Sequence, residues 1–184
     1  MPKVAVMLAT GYEEGESLFV VDIMRRAGFE CDSVSIDGSQ VTGCHGITAL
    51  ADVEFDGSLE GYDAVVVPGG MPGAANLAEC APFVTELRKT YDAGKLVASI
   101  CAGPMSLDKA GILDDKRVSC FPTRKDSIGT NGTWVDELVV QDGNVLTSQG
   151  PGTTLHFAYA LVDALGGDGD ALRNGMLYAK VLQA

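Results

Sequence analysis

Apolar positions along this chain fall into two alternating kinds of run. Short continuous runs, "KVAVML", "YDAVVVPGG" and "KLVASI", read as strands buried on both faces, and "FECDSVSI" alternates as a further strand. Between them lie segments with a helical period. "ESLFVVDIMRRAG" ends at Gly28, "PFVTELRKTYDAG" opens with Pro82 and stops at Gly94, and "AGPMSLDKAG" is short. "TTLHFAYALVDALGG" places Leu155, Ala158, Tyr159, Val162 and Leu165 on one face and His156, Ala160 and Asp163 on the exposed one. The Gly-rich stretch from Gly43 to Asp56 predicts short antiparallel strands, and Val118 to Phe121 one more strand. "DELVVQDGNVLTSQG" predicts a hairpin turning at Asp142-Gly143.

Buried strands separated by helices predict an α/β fold with a mostly parallel sheet covered on both faces. The 184 residues fit one domain, 1–184. Many glycines directly follow strands, where backbone approaches another group closely, and in such sheets ligands bind at the strands' carboxyl ends.

A formal charge of −12 argues against nucleic acid or an acidic membrane as partner, because phosphate binding needs clustered Lys and Arg. The apolar run before Gly11 is too short for a signal peptide or membrane span, so a cytoplasmic location is expected, where the sequon at Asn131 is without meaning. The five cysteines show no zinc-type spacing and the chain has two histidines. No metal or cofactor is therefore expected, and the thiols are read as reduced.

Cys101 ends a buried strand just before a helix, with the small residues Ser99 and Gly103 at its flanks. A strand–nucleophile–helix elbow needs small flanks, and helix N-terminal amides would lower the thiol pKa from about 8.5. The opposing account is a packed core thiol. Gly69 and Gly70 follow another strand, so a loop amide there and the Ala102 amide could form an oxyanion site. "GYEEGE" supplies Glu13, Glu14 and Glu16 at a helix start, where acids suit the dipole. One carboxyl buried beside the thiol could instead shuttle a proton, and the pattern leaves open which one. His45 lies in a Gly-flanked turn and His156 on a polar face, so neither makes an evident dyad with Cys101.

Together, "GYEEGE", "DIMRRAG", "YDAVVVPGGMPGAANL", "ICAGP", "FPTRKD" and "LTSQGPGT" resemble the ThiJ/PfpI family of the class I glutamine amidotransferase-like superfamily. The similarity is to the branch of the parkinsonism-associated deglycase and the bacterial YajL-like proteins. It implies a flavodoxin-like three-layer α/β/α sandwich, a homodimer, and a nucleophile elbow. Carried onto this chain, it implies Cys101 as reactive thiol, Glu16 as its partner, and Gly70 and Ala102 as oxyanion amides. It also implies pocket positions at Glu13, Arg26 and Pro151, with His45 reaching in from the partner subunit. Phe121 stands where part of the family has histidine, and Ala102 where protease-like relatives have histidine. The implied activity is a cofactor-independent glyoxalase or deglycase acting on a small carbonyl substrate or a glycated protein. The alternatives are a redox sensor or chaperone using an oxidisable Cys101, or a peptidase, which Ala102 disfavours.

Overall fold

A computed structural model describes residues 1–129 and 132–183, so Asn131 of the sequon lies outside the described residues. In chain order the elements are β1 (Lys3–Leu8), α1 (Glu14–Arg26), β2 (Glu30–Ser35), β3 (Gln40–Thr42), β4 (Thr48–Leu50), β5 (Val53–Glu54), β6 (Ala64–Val67), α2 (Gly73–Glu79) and α3 (Ala81–Asp92). There follow β7 (Leu96–Ile100), α4 (Pro104–Lys109), β8 (Arg117–Val118), β9 (Thr133–Trp134), β10 (Val139–Asp142), β11 (Val145–Ser148), α5 (Thr154–Ala164), α6 (Gly169–Gly175) and α7 (Tyr178–Val181).

Seven strands form one sheet in the order β10-β11-β7-β6-β1-β2-β5. All neighbours are parallel except β10, which returns antiparallel along β11 at one edge. Period-two alternation builds the layers. Val4, Val6, Val66, Ala98 and Ile100 point to one face, under Val20, Ile23 and Met24 of α1 and Phe157, Leu161 and Val162 of α5. Ala5, Met7, Val65, Val67 and Val97 point to the other, under Leu77 of α2, Phe83 and Leu87 of α3 and Leu107 of α4. This is the expected three-layer α/β/α sandwich.

Several local expectations change. β3 and β4 pair antiparallel, but β5 runs parallel to β2 and joins the main sheet. The strand expected from Val118 shrinks to the two residues of β8. Asp142 pairs with Val145, so the hairpin turns on Gly143-Asn144. Gly143 takes φ +62, while the Asn144 amide donates to the carbonyls of Tyr91 and Lys95. Asp142 is held in the strand because its carboxylate accepts from Lys116 and the Arg117 N–H. His156 is not left in water either: α7 covers it, and Nδ1 lies 2.5 Å from the Tyr178 hydroxyl.

The chain runs outward from β1 through β2 in one direction and from β6 through β7 and β11 in the other. The order therefore reverses between β1 and β6, and in sheets of this kind ligands bind at the carboxyl ends beside that reversal. Among the described residues no helix is long and apolar enough to cross a membrane.

Candidate active site

Three neighbouring strands deliver the site. α1 begins six residues after β1, the Pro68–Gly70 loop follows β6, and Cys101 follows β7 directly. Cys101 has φ +62, a left-handed conformation unfavourable for any residue with a Cβ. Two hydrogen bonds hold it there: its N–H donates to the Ser148 carbonyl at 3.1 Å, and its carbonyl accepts from the Phe121 N–H at 3.1 Å. The elbow needs glycine behind it. A Cβ on Gly103 would stand 2.2 Å from the Val67 carbonyl oxygen.

The three glutamates separate by role. Glu13 is the N-cap of α1: its Oε2 accepts from the Glu16 N–H at 2.6 Å. Glu14 turns away toward the β3–β4 hairpin, where the N–H groups of His45 and Ile47 donate to it. Glu16 points inward and is fully buried. Its Oε2 accepts the Gly69 N–H at 2.7 Å, and its Oε1 has no hydrogen-bond partner. A Cβ on Gly69 would lie 2.7 Å from both Cys101 Cβ and Glu16 Oε2 and 2.9 Å from the Ala102 nitrogen. Gly69 is thus the wedge around which thiol, carboxyl and elbow amide meet, a role that "PGG" alone did not single out.

Burial pushes Glu16 up to about 7, helped by the charge of Glu13 and opposed by the Gly69 N–H and by Cys101. The Cys101 thiol is pushed up to about 12, first by burial and then by the Glu16 carboxylate. The lowered thiol pKa expected from the helix start is therefore not found. The N–H groups of Ala102 and Gly70 do pull it down, but α4 has only six residues and burial outweighs them. Only the part of the upward shift due to Glu16 belongs to the state in which Glu16 is ionised; the part due to burial remains. Once Glu16 is protonated, that repulsion vanishes and the carboxyl can donate toward sulfur.

The backbone N–H groups of Gly70 and Ala102 lie near enough to the sulfur to pull its pKa down. Pro151 lines a small recess of about 180 Å³ with Phe121, Pro122 and Gly150. Phe121, hydrogen-bonded to Cys101, places that recess at the elbow's edge, and a Cβ on Gly150 would meet its ring at 2.9 Å. Arg26 is not brought to the site. It sits in the last turn of α1, roughly 15 Å along the axis from Glu16, paired with Asp22 at 2.8 Å. His45 binds Glu14 of its own chain, with Nδ1 2.8 Å from Oε2.

The sequence profile of the DJ-1/PfpI family matches residues 2–164. The chain belongs to the DJ-1/PfpI family. It is 39% identical over 171 residues to the Parkinson disease protein 7 homolog of Danio rerio, covering 88% of each chain. It is 36% identical over 153 residues to a deglycase of Thermococcus kodakarensis, covering 82% of this chain and 91% of that one. With protein DJ-1 homolog B of Arabidopsis thaliana it shares 33% over 89% of its own length, but spans only 38% of that longer protein. The crystal structure of Drosophila melanogaster DJ-1beta superposes with a TM-score of 0.91 at 34% identity, over 96% of this chain and 98% of that one.

Proposed function

We propose that the chain is a cofactor-independent, cysteine-dependent enzyme acting on α-dicarbonyls such as methylglyoxal and glyoxal, or on their adducts with proteins. One observation carries this reading: a fully buried carboxyl with a free oxygen beside a thiol held in a left-handed elbow. As sulfur adds to the aldehyde carbon, the S–H proton passes by way of the Glu16 carboxylate to the aldehyde oxygen, whose developing negative charge takes the N–H groups of Gly70 and Ala102; the hemithioacetal is then neutral and Glu16 is again a carboxylate. Glu16 as carboxylate removes the C–H proton, and as acid returns it to the adjacent carbon. The product is a thioester of the 2-hydroxy acid. Water then cleaves the C–S bond, releasing the acid and restoring the thiol. No external oxidant is needed, since one carbon is oxidised as its neighbour is reduced. A carboxyl poised near 7 suits both directions of transfer. The deglycase name of the Thermococcus relative supports the substrate class.

The same reading includes a homodimer through α1. Leu18 and Phe19 are 40% and 48% exposed beside Ile47 at 54%, an apolar patch that a second copy would cover. The decisive assay is methylglyoxal consumption with lactate formation by the wild type, Cys101→Ser and Glu16→Gln. Turnover present in the wild type and lost in both variants is expected. A wild type no faster than its variants removes the enzyme reading.

A second reading, redox sensing, is favoured by the unpartnered Glu16 Oε1, which could donate a hydrogen bond to a Cys101 sulfinate. Mass spectrometry after mild peroxide tests it: two added oxygens confined to Cys101 support it, and oxidation scattered over Cys31, Cys44 and Cys80 removes it.

A further inference from the structure

Away from the nucleophile, folding brings a carboxylate to two adjacent donors about thirty residues further along the chain. Glu14 of α1 meets Cys44 and His45 of the turn between β3 and β4. Cys44 Sγ lies 3.3 Å from His45 Nδ1 and 3.6 Å from Glu14 Oε2, and Nδ1 lies 2.8 Å from the same Oε2. These three edges form a triangle of sulfur, nitrogen and oxygen. Ligand distances of about 2.3 Å for sulfur and 2.0–2.1 Å for nitrogen and oxygen, at tetrahedral angles, give edges of about 3.5 Å to sulfur and about 3.3 Å between nitrogen and oxygen. The observed triangle is close to one face of such a tetrahedron, with only its shortest edge needing to open.

A catalytic relay fits less well. A Cys–His–Glu relay uses both ring nitrogens, whereas here Nδ1 alone faces both thiol and carboxylate. Two further features mark a built site. A Cβ on Gly43 would stand 2.4 Å from the Glu14 carboxyl, so glycine opens the path by which that buried side chain reaches the turn. The Tyr12 hydroxyl, two residues before Glu14 in the chain, is buried without a hydrogen-bond partner. A fourth candidate donor, Glu13 Oε1, lies 4.0 Å from the same nitrogen.

We propose that Glu14 Oε2, Cys44 Sγ and His45 Nδ1 bind one borderline-soft divalent cation, with Zn²⁺ the best match to an S/N/O donor set. Binding sends the Cys44 thiol proton to solvent as the S–metal bond forms. The histidine ring offers the Nδ1 lone pair and keeps its proton on Nε2. The ion ties the β3–β4 hairpin to the start of α1. Its three ligands are distinct from Cys101 and Glu16, Glu14 turning to the hairpin while Glu16 turns inward to Gly69.

Titration of the full chain with Co²⁺, followed by displacement with Zn²⁺, tests this directly. The expected result is one Co²⁺ per chain with a thiolate-to-cobalt charge-transfer band, removed by one equivalent of Zn²⁺. Cys44→Ser loses the band, His45→Ala weakens binding at least about 10-fold, and Cys101→Ser keeps the full signal. Absence of stoichiometric binding would overturn the assignment, as would a band that survives Cys44→Ser and disappears in Cys101→Ser. Because His45 is exposed, its alanine variant keeps the test valid should Cys44→Ser fail to fold.

Discussion

Gly69 donates its backbone N–H to Glu16 Oε2 across 2.7 Å, joining the loop after β6 to the first turn of α1. That bond fixes one carboxyl oxygen and leaves the other unpartnered beside Cys101. Glycine is required for it, since a Cβ would press on the nucleophile, the carboxyl and the elbow amide at once.

Gly69→Ala should therefore remove methylglyoxal turnover by about 10²-fold or more, because it displaces the proton carrier from the thiol. The measurement is kcat, with circular dichroism confirming a folded chain. Near-normal turnover would show that Glu16 need not sit where Gly69 holds it.

Glu16→Asp should be nearly as inactive as Glu16→Gln. The shorter side chain cannot both accept from Gly69 and reach Cys101, although it keeps its charge. Parallel kcat measurements on the two variants check this; a fully active aspartate variant would mean that charge, not position, matters.

Strain at Cys101 can be read by comparing two inactive variants. Cys101→Ala keeps a Cβ at φ +62 whereas Cys101→Gly does not, so glycine should be the more stable by about 1 kcal/mol. Thermal unfolding should place the glycine variant about 2–4 °C higher. The reverse order would mean that the elbow is unstrained.

Asp52 governs one acid limb of stability. Burial pushes its pKa up, but this is outweighed by hydrogen bonds from the Ser33 hydroxyl and N–H and by Arg25, so the net shift is downward. A depressed folded pKa contributes stability above the unfolded value of about 4, and that contribution is lost as pH falls through the folded value. Asp52→Asn should cost on the order of 1 kcal/mol at neutral pH, the half-exposed Arg25 pair adding little. In urea titrations the gap between variant and wild type should close below about pH 4; a gap constant with pH would remove Asp52 from the acid response.

Phe19→Arg should convert a dimer to a monomer without loss of helix content, read by light scattering at micromolar concentration. A monomeric wild type would remove the homodimer and, with it, any role for His45 in a neighbouring subunit.

Much of this arrangement was legible in the sequence where a single physical constraint dominates. Runs such as Val65–Val67 and Val97–Ile100 can only be buried from both sides, which implies the parallel sheet. Cys101 between small residues implies the elbow. What escaped depends on contacts between distant segments. "GYEEGE" holds three carboxyls whose directions are set by the Gly69 N–H, the N-cap geometry and the β3–β4 hairpin, none of which lies within the motif. Arg26 was placed at the pocket by resemblance, yet ten residues of helix carry it to the far end. The hairpin turn moved because Asp142 found basic partners in a distant segment. Glu14 lies 31 residues from His45, and only the glycines at 43 and 46 hinted that the turn accommodates something close.

The strand order has a consequence for how such a protein can diversify. Thiol, carboxyl and loop amides hang from β7, β1 and β6, three adjacent rungs whose separation the hydrogen-bond ladder fixes. Phe121 and Pro151 lie outside the strands of that frame, and Phe121 is tied to it through its backbone N–H rather than its side chain. On the proposed reading, side-chain substitutions at the rim retune which molecules enter while thiol and carboxyl stay at the same spacing, so selectivity and reactivity drift independently.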